Sequence, residues 1–86
     1  MRHARSAALD ELEDLIASLR KLPGLKEKSR GVFYRGSLAF VHFHEDADGL
    51  FADVRLRDDF DRFRVSTIIE RAVLVKAVRL ALRKSG

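Results

Sequence analysis

Residues 38–56, LAFVHFHEDADGLFADVRL, decide the fold. Leu38 to Glu45 alternates as a β-strand does, with Ala39, Val41 and Phe43 on one side and Leu38, Phe40, His42 and His44 on the other. Asp46-Ala47-Asp48-Gly49 has the residue types of a tight turn. Leu50 to Leu56 is then the returning strand, with Leu50, Ala52, Val54 and Leu56 on one side and Phe51, Asp53, Arg55 and Arg57 on the other. A turn centred on Ala47-Asp48 pairs Phe43 with Ala52 and Val41 with Val54, which makes one face continuously apolar. The opposite face then sets His42 across from Asp53. A turn centred on Asp48-Gly49 sets Asp53 across from His44 instead. Either way a histidine meets a carboxylate, with Cα atoms about 4.5–5.5 Å apart. A slip of one residue would turn the whole apolar set outward, so this parity is well specified.

Upstream, residues 25–35 read as extended, because Val32, Phe33 and Tyr34 favour strand. Gly36-Ser37 fits a two-residue hairpin turn into the central strand. Phe33, Phe40 and Phe51 are expected on the same outer face as the histidines. Residues 6–22 read as one amphipathic helix, with Leu9, Leu12, Leu15, Ile16, Leu19 and Leu22 in a stripe. Ser6 is its expected N-cap and Pro23-Gly24 its stop. Residues 57–66 are mostly charged and read as a loop, with a short extended piece near Val65. Thr67-Ile68-Ile69-Glu70 is a capping box that starts a second helix, apolar over most of its circumference as far as Leu82. One sheet face cannot cover so broad an arc, so the first helix or a second subunit must share it. The expected architecture is α+β: helix, three-stranded antiparallel sheet, helix, with both helices on one sheet face, as a single domain over residues 1–86.

Composition limits the function classes. Of 86 residues, 47% are apolar and 35% charged, which fits one globular domain rather than a disordered chain. Cysteine is absent, so disulfides and thiolate metal sites are excluded, and a cytoplasmic location is expected. Asp10, Glu11, Glu13 and Asp14 interrupt any signal peptide, and no apolar run is long enough for a membrane span. The net charge of +4 is spread among interspersed acids, as on a mixed solvated surface. Arg2, His3 and Arg5 read as a tail. The Asp46–Gly49 segment is a hairpin turn and not a calcium loop, since Arg55 falls where the bidentate Glu belongs.

Leu22-Pro23-Gly24, Phe33-Tyr34-Arg35-Gly36, Phe40-Val41-His42-Phe43-His44 and Asp48-Gly49 together resemble the small luciferase-domain (luciferase-like) proteins of bacteria and fungi. The resemblance covers about 35 residues. It implies no light production, because the family is largely of unknown function. Longer members carry Gly, Trp and His between the hairpin and the last helix; residues 57–66 here contain none of these.

The candidate site is therefore the outer sheet face, with Phe40, His42, His44, Phe51, Asp53 and Arg55 as its ligand or partner face. Its expected role is a non-catalytic binding or interaction module, with a homodimer or another protein as partner. His42, His44 and Asp53 also form a candidate divalent metal set, since residues two apart on a strand lie roughly 6.5–7 Å apart and can straddle an ion. That set, or a His–Asp acid–base pair, would make the alternative a metal-dependent or His–Asp enzyme. No nucleophile has a spacing argument. A third reading is single-stranded nucleic-acid binding, with Phe40 stacking on bases and Arg35, Arg55 and Arg57 on phosphates. It is disfavoured, because the strand order lacks the first strand of an RNA-recognition fold. No motif identifies a small-molecule ligand.

Overall fold

A computed structural model describes residues 2–84. The fold remains mixed α+β, but the sheet is larger than expected. The described residues form six strands, not three, and three helices, not two: β1 (Arg2–His3), α1 (Ser6–Glu11), α2 (Glu13–Arg20), β2 (Lys26–Ser29), β3 (Val32–Arg35), β4 (Leu38–Asp46), β5 (Gly49–Arg55), β6 (Phe60–Arg64) and α3 (Ile68–Lys84). The strand order is β2-β3-β4-β5-β6, with β1 paired to β4 beyond the end of β3. Every pairing is antiparallel.

The expected first helix is divided at Leu12, whose φ of −90° and ψ of 6° lie outside helical values. The apolar stripe survives the break, because Ile16 N still donates to the Leu12 carbonyl at 2.9 Å. Ser6 is not the cap. Arg5 holds that position without a side-chain hydrogen bond, and Ser6 is the first helical residue. The extended segment 25–35 is itself a hairpin, turning at Arg30-Gly31. The charged stretch expected as a loop contains β6, which pairs along β5. Its Asp61, opposite Val54, lies on the inner side of an edge strand, a device that discourages further strand pairing. The capping box forms as expected: Glu70 N–H donates to Thr67 Oγ1 at 3.1 Å, and Thr67 N–H to Glu70 Oε1 at 3.0 Å.

All the helices lie on one face of the sheet. Leu12 at the break, Leu15, Ile16 and Leu19 from α2, and Leu74 and Val78 from α3 close one core with Val41, Phe43, Ala52 and Val54. The opposite face carries the histidines, and among the described residues no helix packs over it. α3 buries only Leu74 and Val78 fully, so α2 does not cover the whole apolar arc. Among the described residues no helix is long and apolar enough to cross a membrane.

The β2–β3 hairpin is fastened to α2 through Glu27, whose carboxylate pairs with Arg20 and accepts from the Gly31 N–H at 2.8 Å. Arg20, and then the Gly31 amide, hold the Glu27 carboxyl below the usual carboxylate range. A carboxyl depressed in the folded state contributes stability above its unfolded value, about 4.3 for Glu, and loses it as pH falls through the folded value. Thermal melts below that pH should therefore show a shallower decline for Glu27→Gln than for wild type. Parallel curves would show that Glu27 has no such role.

Candidate metal-binding site on the outer sheet face

The register of the central hairpin builds the site. Asp46 pairs with Gly49, so the turn is Ala47-Asp48 and His42 lies across from Asp53, as one of the two expected registers requires. His44 lies across from Phe51. β6 continues the face with Arg62 opposite Asp53, Arg64 opposite Phe51 and Phe60 opposite Arg55. From the other side β1 sets His3 opposite His44.

Asp53 is the centre of this network. Arg62 grips it with two hydrogen bonds, Nε to Oδ1 at 2.7 Å and Nη2 to Oδ2 at 2.8 Å. That guanidinium holds the Asp53 carboxyl below the usual carboxylate range against the opposing effect of burial. Oδ2 also lies 3.5 Å from His42 Nε2 and 3.2 Å from His44 Nε2. The shorter contact is close in distance but poor in direction: His44 Nε2 is buried and makes no hydrogen bond. Buried polar atoms are seldom left so, because the lost solvation is not repaid. Burial pushes both imidazoles below the ordinary histidine value, and on His42 the neighbouring His44 adds to the effect. Neutral rings are the form that ligates metals.

The donor atoms of His42, His44 and Asp53 all lie within 4.8 Å of one another, so these three residues could hold a metal ion. Around them Phe60 packs edge-on against His42 at 4.8 Å between centroids. Arg55 does not face the site openly. Its guanidinium covers the Phe60 ring at 4.4 Å, and it donates to the carbonyls of Ala39 and Asp58, fastening the β5–β6 loop.

Two phenylalanines expected on this face are elsewhere. Phe33 and Phe40 are both buried in the core. The reason is a bulge: Tyr34 pairs with Ala39 but Phe33 pairs with Val41, so Phe40 is an extra residue on β4. The shift carries Phe33 to the side of Val41. Buried Phe40 offers no ring for a base to stack on, which removes the anchor of the nucleic-acid reading. Phe51 does lie on the outer face, half-buried beside His44. Sequence reasoning missed Arg62, Phe60 and His3. Arg62 and Phe60 stand two apart and Phe63 falls on the other side, an alternation the surrounding charges obscured.

Among the described residues, surface cavities of about 460 Å³ beside Arg2 and Glu45 and about 270 Å³ beside Leu22 and Leu82 are lined by other side chains than His42, His44 and Asp53. No family model matches the chain, and no curated protein or solved structure matches it either.

Proposed function

We propose that the protein is a non-catalytic binding module whose outer sheet face takes one divalent transition-metal ion through His42, His44 and Asp53. The observation that carries this is the buried, unpartnered Nε2 of His44, 3.2 Å from a carboxylate oxygen. Metal–ligand bonds of about 2.0–2.1 Å in a tetrahedron place neighbouring donors about 3.3–3.4 Å apart. The two edges at Asp53 Oδ2, 3.5 and 3.2 Å, already have that length. The remaining edge, between the two imidazoles, is no longer than 4.8 Å and must shorten for all three to hold one ion. Two imidazoles and one carboxylate suit zinc or iron(II). Arg62 occupies one lone pair on each oxygen of Asp53 and orients the ligand, as outer partners of metal ligands do. Kinship with the luciferase-domain proteins belongs to the same proposal; it rests on the quoted motif and supplies no activity.

Calorimetric titration with zinc should show one ion per chain for wild type, with His44→Ala weaker by at least about 10–100-fold, the loss seen even for indirect partners of ligands. At a hundredfold excess over the dissociation constant, zinc should raise the unfolding free energy by about 2.7 kcal/mol. No binding tighter than millimolar would remove the proposal.

A second reading concerns α3. Ile68 and Ile69 are 81% and 77% exposed, and Val73 and Leu80 are also exposed. This stripe supports protein association. Lys76 sits within it, and Arg79, Arg83 and Lys84 are exposed on the helix's C-terminal half, so self-pairing would bring like charges together. An acidic, apolar partner fits it better than a second copy. Sedimentation at high micromolar concentration should show a monomer; a dimer would assign the stripe to self-association instead.

A further inference from the structure

We infer that His3 supplies the fourth ligand of the same centre, so that the site closes around its ion with three imidazoles and one carboxylate. This rests on the metal reading above. Three protein donors leave one corner of a tetrahedron open, as in catalytic centres, whereas four close it, as in structural ones. β1 brings the missing donor to the right place. His3 is the register partner of His44, so its side chain stands on the same face. Its ring lies 4.7 Å from the His44 ring, stacked at 29°, and 5.8 Å from the His42 ring. The backbone is fixed there by three fasteners: Ala4 N–H to the Phe43 carbonyl at 3.1 Å, Arg5 N–H to Glu45 Oε2 at 2.6 Å, and the Arg2–Glu45 ion pair at 3.4 Å. Rotation about the His3 side-chain bonds turns the ring from stacking to ligating without moving the strand. The ion then ties β1 to β4 and β5, and no coordination position is left for a substrate.

Cobalt(II) tests this, because four-coordinate cobalt absorbs far more strongly in the visible than six-coordinate cobalt. Wild type should give intense absorption that added imidazole does not change. His3→Ala should bind cobalt at least about tenfold more weakly, because a direct ligand costs no less than an outer one. Imidazole should then restore the intense spectrum by filling the vacated corner. His3→Phe, which keeps a flat ring against His44 but offers no donor, should lose as much affinity as His3→Ala. Normal affinity and spectrum in His3→Ala would overturn the assignment of His3 and leave the three-residue centre standing. Wild-type affinity in His3→Phe would overturn it too, as an effect of ring packing. Failure of wild type to bind cobalt would overturn the underlying reading as well.

Discussion

Phe33→Ala should lower the unfolding free energy by about 3–5 kcal/mol, the usual cost of emptying a buried phenylalanine site. Phe33 is fully buried and packs in the core beside Val41. Domains of this size hold only about 5–15 kcal/mol in total, so the variant should be unfolded in part at moderate urea. Phe51→Ala is the control. Phe51 is half-buried on the outer face, and its loss should be clearly smaller. The contrast is sharp because plain alternation from the Gly36-Ser37 turn puts Phe33 outward, where truncation would cost little. Urea denaturation of the two variants decides between the arrangements. A loss below about 1 kcal/mol for Phe33→Ala, the scale of surface changes, would mean that the bulge in β4 is absent and Phe33 faces solvent.

Gly49→Ala should cost about 2–4 kcal/mol, from two sources. Gly49 has φ of 137°, a backbone that side-chain-bearing residues rarely adopt and that costs them about 1–3 kcal/mol. A Cβ there would also collide with Ser66 Oγ, which accepts the Leu50 N–H at 2.9 Å. Crowding of this kind adds on the order of 1 kcal/mol or more. Gly36→Ala separates the two sources. Gly36 also has a positive φ, 61°, but a Cβ on it would meet nothing within 4 Å. It should therefore lose only the backbone part. Equal losses in chemical denaturation would show that Ser66 yields freely. The position matters to the site because Gly49 pairs with Asp46 and so closes the turn that sets His42 across from Asp53.

The heart of the site was legible because two strands of strict alternation and one turn leave few registers. His42 meets Asp53 for that reason alone. The same rule failed at Phe33 and Phe40, since a single unpaired residue reverses alternation and leaves no mark in the residue types. β6 was hidden by its place at the sheet edge. Only Phe63 is apolar on its inner side, because Asp61 takes the other inner position, and Arg62 and Arg64 read as loop charges until a strand is drawn through them. β1 has two residues, too few for any period, so His3 looked like part of a tail. The helix stripe was read correctly, but the break at Leu12 changes no apolar position and could not show in the pattern. The breadth of the α3 arc was visible, and its residues Ile68 and Ile69 remain outside the core.

Long-range proton–nitrogen NMR of the imidazole rings during zinc titration tests the metal assignment most directly, because it reads each ring nitrogen separately. At one equivalent of zinc, the Nε2 resonances of His42 and His44 should both move to the metal-bound position. Ring nitrogens unmoved by a full equivalent would mean that these imidazoles and Asp53 only brace the sheet.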